Sequence, residues 1–159
     1  VTKCPSGISL EDRKEGTDLI KKIAGEKPVF FTSIQYGKPV SFGNVNSIMP
    51  DVILVSGIAN HKIFEDYARK AFQVIKHFSF KDHHRYTKAE LLAIKEFVGG
   101  YGKPISVLTT EKDMVRLIDP EFTEIIRGMP WFYLPIGTVF LKDGSEFDAL
   151  VKKAIANPV

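Results

Sequence analysis

The chain has 159 residues, enough for one domain with a sizeable core and too few for two complete average ones. Its 22 Lys and Arg against 19 Asp and Glu leave a net charge of +3, too mild to point to nucleic acid. The single cysteine, Cys4, excludes an internal disulfide and a cysteine-built zinc site, and no run reaches the roughly 18 apolar residues of a membrane span. No signal-peptide pattern opens the chain, so a soluble protein of a reducing compartment is expected. The start at Val1, without methionine, is expected to reflect processing or truncation.

In chain order, Val1 to Cys4 reads as the tail of a strand. Ser9 then caps an amphipathic helix whose Leu10, Leu19, Ile20 and Ile23 form an inner face before Gly25 stops it. Residues 28–36 are rich in β-branched and aromatic types and predict a strand. Between 37 and 51, Gly37, Pro39, Gly43, Asn44, Asn46 and Pro50 break up any long element, leaving a short extended piece at 39–42. Val52-Ile53-Leu54-Val55 is the continuous apolar run of a strand covered on both faces. Asn60 is the expected N-cap of the next helix. Residues 72–80 alternate, with Phe72, Val74, Phe78 and Phe80 on one face and Gln73, Ile75, His77 and Ser79 on the other.

Thr87 and Glu90 form a capping-box signature for a helix with Leu91, Leu92, Ile94 and Phe97 on its apolar side. It ends at Gly99-Gly100-Tyr101-Gly102. A strand at 104–110 leads into a helix opened by Glu111-Lys112-Asp113, with Met114, Val115, Leu117 and Ile118 inward. A short helix at 121–127 precedes one long strand at 131–141, whose Pro135 predicts an edge or a bend. Ser145 caps a terminal helix with Phe147, Leu150, Val151 and Ile155 inward.

This alternation predicts an α/β fold with a mainly parallel sheet flanked by helices. Right-handed crossovers bring the turns at 57–60, 82–86 and 109–113 to one sheet edge, where open α/β sheets hold their ligands. Asn60, Arg85, Glu111, Lys112 and Asp113 are therefore candidate substrate-binding residues, beside the chemically dense stretch Asp82-His83-His84. Three chemistries fit that tripeptide: metal ligation, acid/base work, or a capped turn. Adjacent residues on extended backbone point to opposite sides, which disfavours one ion held by both histidines, so no metal site is expected. A histidine beside a carboxylate suits proton transfer. His61 and His77 read as surface or edge histidines, and the run at 131–133 as core or domain contact, with a lipid-facing patch as the alternative. No Walker A loop, kinase glycine loop or Gly-x-Ser-x-Gly occurs, so the chain alone lacks a full catalytic apparatus.

Four ordered motifs carry a family resemblance: Val55 to Asn60, Phe80 to Thr87, Thr110 to Leu117 and Tyr133-Leu134-Pro135. Together they resemble the C-terminal half of the tetraacyldisaccharide 4'-kinase, or lipid A 4'-kinase, family of Gram-negative bacteria. His61 departs from the proline usual after Ala-Asn in that family. The resemblance implies a P-loop kinase that uses ATP and Mg2+ to phosphorylate the 4'-hydroxyl of the tetraacyldisaccharide 1-phosphate lipid A precursor. It also implies a peripheral enzyme at the cytoplasmic face of the inner membrane. The Walker A loop and a catalytic carboxylate belong to the family's N-terminal domain, and the C-terminal domain contributes an Asp-His element. That role maps to His83, with Asp82 as its neighbour.

The implied layout is a remnant of the P-loop domain at 1–38, a linker at 39–51, an α/β domain at 52–136, and a return strand with terminal helix at 137–159. A two-stranded β linker is expected to pair 39–42 with part of 137–141. The expected partners are the lipid A precursor, the membrane surface and the protein's own P-loop domain, with no nucleic acid. The piece itself is expected to be inactive and to hold no cofactor tightly. The competing readings are a metal-dependent phosphoesterase of the Asp-His-His type and a non-enzymatic interaction module.

Overall fold

Four apolar residues, Val52 to Val55, have no side-chain exposure and form the middle of the main sheet. The computed structural model describes residues 1–156. Its contacts group the chain into two units, 37–135 and a second made of 1–36 with the chain from Ile136 onward.

In the larger unit, β2 (Val40–Ser41), β3 (Asp51–Ser56), β4 (Gln73–Ser79), β5 (Ser106–Thr110) and β6 (Trp131–Leu134) form a sheet of order β2-β6-β5-β3-β4. The neighbours β6, β5, β3 and β4 run parallel, and only β2 is antiparallel. One face packs Ile53, Val55, Val107 and Trp131 against Leu91 and Ile94 of α3 (Lys88–Gly100), Leu117 of α4 (Glu111–Leu117) and Ile126 of α5 (Thr123–Arg127). Val52 and Leu54 alternate to the opposite face, and α2 (His61–Ala71) buries Phe64 and Ala68. The parallel arrangement agrees with the sequence expectation.

Several details differ, each for a local reason. The β3–β4 register slips between Val52 and Ile53, whose partners are Val74 and Lys76, so Ile75 is an inserted residue. The bulge reverses the alternation, and Ile75 packs on the same core as Phe78. Helix α3 runs through Gly99 and Gly100, and its Leu92 is exposed. In α4 the fully buried residues are Asp113 and Leu117, while Val115 and Ile118 face solvent. Asn60 precedes α2 without a side-chain capping bond.

The expected pairing of 39–42 with 137–141 does not form. Instead Val40 and Ser41 pair with Tyr133 and Phe132, and Phe42 packs on Trp131 and Tyr133. A two-stranded antiparallel sheet does exist, but it joins β1 (Thr32–Tyr36) to β7 (Ile136–Phe140), which offers a five-residue ladder from Thr32↔Phe140 to Tyr36↔Ile136. The single strand expected at 131–141 is therefore two strands in two sheets, divided at Pro135, which has no N–H to continue a ladder.

The smaller unit also holds α1 (Leu10–Ala24) and α6 (Gly144–Ala156). Ser9 caps α1 by accepting the Asp12 N–H at 3.0 Å, and Gly25 ends it at φ 72°. The expected inner faces are not buried: Leu10 is 76 % and Ile23 81 % exposed, and neither helix has a buried residue. Phe147 does meet Phe30 and Phe140 in an aromatic cluster. Ser145 lies inside the first turn of α6 rather than capping it.

His77 lies on the edge strand β4, one of the two places read for it, but it is not a surface residue. Its side chain is 8 % exposed, with Nδ1 3.0 Å from Glu65 Oε2 and Nε2 2.8 Å from Ser56 Oγ. The order Ser-His-Glu copies a nucleophilic triad, but Ser56 is wholly buried, so the chain of bonds ties α2 to β3 and β4 and serves no substrate. Hydrogen bonds from His77 and then Arg69 hold the Glu65 carboxyl below its usual range.

Two predictions concern stability. A Cβ on Gly43 would stand 2.0 Å from the Met129 carbonyl oxygen, whereas Gly7 has no atom within 4 Å. In urea denaturation Gly43→Ala is expected to cost about 2 kcal/mol or more, and Gly7→Ala under about 0.5. Because Glu65 is lowered on folding, its contribution is complete above its unfolded value of about 4.3 and is lost as pH falls through the lower folded value. Glu65→Gln should reduce stability at neutral pH and flatten the acid limb of the midpoint against pH.

Candidate functional site

The Asp113 carboxylate is fully buried, a costly position for a charge unless every lone pair is used. Its Oδ2 accepts the Gly57 N–H at 3.0 Å and the Thr110 hydroxyl at 2.7 Å, and its Oδ1 accepts Arg116 Nη1 at 3.0 Å. Thr110 also caps α4 by accepting the Asp113 N–H, and Arg116 Nη1 donates to the Gly57 carbonyl at 3.2 Å. Gly57 is needed here, since a Cβ would lie 3.0 Å from His84 Cβ and 3.2 Å from Asp113 Oδ1. The turns after β3 and β5 are thereby locked together.

The third turn, after β4, joins them through its backbone, with the His83 N–H donating to the Gly57 carbonyl at 3.2 Å. His83 adopts φ 59°, a left-handed conformation uncommon outside glycine. Its N–H also reaches Asp82 Oδ1 at 2.9 Å, and Lys112 Nζ donates to the same oxygen at 3.1 Å. The Lys112 hydrogen bond is the main reason that the Asp82 carboxyl sits below its ordinary range.

The exposed His83 ring stands between two charges. Arg116 Nη2 donates to Nδ1 at 3.3 Å, and Nε2 lies 3.5 Å from Asp82 Oδ2. A guanidinium only donates, so Nδ1 accepts, and the neutral ring carries its proton on Nε2. His84 turns elsewhere. It stacks on Phe80 at 4.4 Å between centroids and reaches Glu90 at 3.0 and 3.1 Å. Burial raises the Glu90 carboxyl, but hydrogen bonds from His84 and from the Thr87 cap outweigh it and leave it lowered. Tyr86 is buried, which pushes its phenol well up, and the Asp113 carboxylate adds to this without meeting hydrogen-bond geometry.

Beside this network opens a cleft of about 630 Å³ lined by His83, His84, Arg85, Tyr86, Arg116, Asp119, Glu121 and Phe122. Of the residues singled out from sequence, Asp82, His83, Lys112 and Asp113 form one network, and Arg85 joins His83 at the cleft. Asn60 and Glu111 are not among the lining residues. Arg116, Asp119 and Glu121 escaped sequence reasoning. For Arg116 the available signal was its i, i+3 spacing from Asp113, which puts both on one helix face.

Comparison with known proteins places this geometry in a family. The family model described as tetraacyldisaccharide-1-P 4'-kinase matches residues 11–156. The tetraacyldisaccharide 4'-kinase of Flavobacterium johnsoniae is 31% identical over 98% of this chain and 44% of its own length. That of Flavobacterium psychrophilum is 33% identical over 93% of the chain and 42% of its own length. The chain thus spans under half the length of these relatives. A crystal structure of "apo" form LpxK from Aquifex aeolicus in complex with ATP superposes with a TM-score of 0.52 at 19% identity, over 84% of this chain and 40% of that one, which supports the fold. With its mainly parallel sheet and a family match running from α1 to the end of α6, the chain belongs to the tetraacyldisaccharide-1-P 4'-kinase family.

Proposed function

We propose that this chain is the C-terminal part of a kinase that moves the γ-phosphate of ATP onto the 4'-hydroxyl of a tetraacyldisaccharide 1-phosphate, with His83 as its contribution to the chemistry. The observation that carries the reading is the His83 ring, exposed at the carboxyl edge of a parallel sheet and held between Asp82 and Arg116 in a member of this family. With Nδ1 occupied by Arg116, the Nε2–H is the remaining donor, 3.5 Å from Asp82 Oδ2 and too far for a close hydrogen bond to it. It orients a carboxylate supplied by the P-loop part of the enzyme, and that carboxylate takes the acceptor hydroxyl's proton as the phosphoryl group arrives. Lys112 and Arg116, paired with Asp82 and Asp113, hold those carboxylates in place around His83.

The carboxylates of this network do not fit a resident Mg2+. Asp82 is bonded to Lys112, and Asp113 is buried with Gly57, Thr110 and Arg116 on its oxygens. Magnesium and the nucleotide phosphates therefore belong to the P-loop part. Asp82, His83 and His84 diverge toward Lys112, Arg116 and Glu90, which favours separate roles over a shared metal centre of the phosphoesterase type. The exposed apolar residues Leu10, Leu19 and Ile23 of α1 and Leu150 and Ile155 of α6 support a partner surface, which we assign to the P-loop part of the same protein. No described helix is long and apolar enough to cross a membrane. The proposed location, peripheral at the cytoplasmic face of the inner membrane, follows from the lipid acceptor.

In the full-length enzyme, His83→Ala is expected to lower kcat about a hundredfold or more while the KM for ATP stays within about twofold. An unchanged kcat would remove His83 from the chemistry. The 159-residue chain alone, mixed with ATP, Mg2+ and lipid acceptor, is expected to transfer no phosphate. Turnover there would overturn the assignment of the nucleotide site to another part of the protein.

A further inference from the structure

Two cations from one face of α4 grip the turn that carries His83. Lys112 and Arg116 are four residues apart, the spacing that places side chains side by side on a helix. Arg116 Nη2 donates to His83 Nδ1 at 3.3 Å, and Lys112 Nζ donates to Asp82 Oδ1 at 3.1 Å. The backbone under Lys112 is itself anchored, because its neighbour Asp113 is fully buried and Thr110 caps the helix.

Oδ1 of Asp82 also accepts the His83 N–H at 2.9 Å, whereas Oδ2 stands 3.5 Å from His83 Nε2, beyond ordinary hydrogen-bond range. A carboxylate beside an N–H donor normally closes to about 2.7–2.9 Å. The Asp82 and His83 side chains are 36 % and 73 % exposed, so packing does not keep them apart. The contact that does draw on the carboxylate is Lys112, whose hydrogen bond is the main cause holding the Asp82 carboxyl below its ordinary range and so keeping it an anion at neutral pH. An anion there is a competitor. Closing the gap would commit the Nε2–H to Asp82, and with Nδ1 bonded to Arg116 the ring would have no donor left for any other group.

We propose that Lys112 is a positioning residue: it holds the Asp82 carboxylate away from His83 Nε2 and so keeps the ring's N–H available to a partner outside the turn. Arg116 fills the acceptor nitrogen, and Lys112 restrains the neighbour that would claim the donor. Asp82 then serves the backbone, fixing the His83 N–H through Oδ1, and takes no part in proton transfer. The restraint stands on contacts within the chain, while its effect on phosphoryl transfer rests on the role given to His83 under Proposed function.

The test joins a crystal structure of the Lys112→Met chain to kinetics of the same variant in the full-length enzyme. In the crystal, Asp82 Oδ2 should close to about 3 Å or less from His83 Nε2, and a gap that stays open overturns the restraint. In the enzyme, Lys112→Met should lower kcat about tenfold with KM for ATP within about twofold. The Lys112–Asp82 pair is partly exposed, so the thermal midpoint should stay within about 2 °C. Adding Asp82→Asn keeps an oxygen for the His83 N–H and replaces the competing oxygen with an amide that only donates. It should recover most of the lost kcat, which it would not do if Lys112 bound substrate or served folding alone. In an enzyme disabled by His83→Ala, a kcat untouched by Lys112→Met, or a loss that Asp82→Asn fails to recover, overturns the proposal. If the gap closes in the crystal while His83→Ala leaves kcat unchanged, the restraint stands and the chemistry assigned to His83 falls.

Discussion

The buried Asp113 carboxylate is the constraint on which the rest of the sheet edge depends. A charge with no exposure survives only when its oxygens are fully bonded, and removing one partner of such a pair costs about 3–5 kcal/mol. Its partners come from separate turns, Gly57 after β3, Thr110 at the end of β5 and Arg116 one turn further along α4. Satisfying one carboxylate therefore fixes the relative position of all of them. The requirement is local, but its consequence is the geometry of the whole edge.

From that anchor His83 is placed in two steps. Gly57 gives its N–H to Asp113 and its carbonyl to the His83 N–H and to Arg116, and Arg116 then reaches His83 Nδ1. An exposed ring is ordinarily free to rotate, and here one nitrogen is held by a group that is itself held by a buried charge. The left-handed φ of His83 fits the same picture, since a strained backbone persists where its surroundings over-determine it.

Much of this was legible in the sequence, and the rest was hidden for identifiable reasons. The run Val52 to Val55 and the Thr87/Glu90 capping box are local patterns with one structural solution, and both form as read. The density of Asp82-His83 marked a turn that the fold bonds to those after β3 and β5. Asp113 was harder, because an acid in a first helical turn looks the same whether it faces water or a buried arginine. His77 likewise depends on Glu65 twelve positions away and Ser56 twenty-one positions away, a tertiary circumstance that alternation along one strand does not record. The bulge at Ile75 arises from registry with β3 and is no property of the segment itself. The division of 131–141 falls at Pro135, which the sequence shows, and only the partners of the two halves are set by the rest of the fold.

The helices of the smaller unit show the opposite mismatch, a pattern more definite than the fold that carries it. Leu10, Leu19 and Ile23 recur at helical spacing, as do Leu150, Val151 and Ile155, yet all are exposed. Periodicity encodes a face to be buried and says nothing about which surface buries it. The chain spans 44% and 42% of the two Flavobacterium relatives. In the larger unit the same kind of pattern in α2 and α3 is closed by Phe64, Ala68, Leu91 and Ile94, all inaccessible or nearly so. The two units thus obey one rule under different boundary conditions. Where the covering surface is within the chain, sequence pattern and burial coincide, and where they part, the pattern points to apolar contacts that the described residues do not supply.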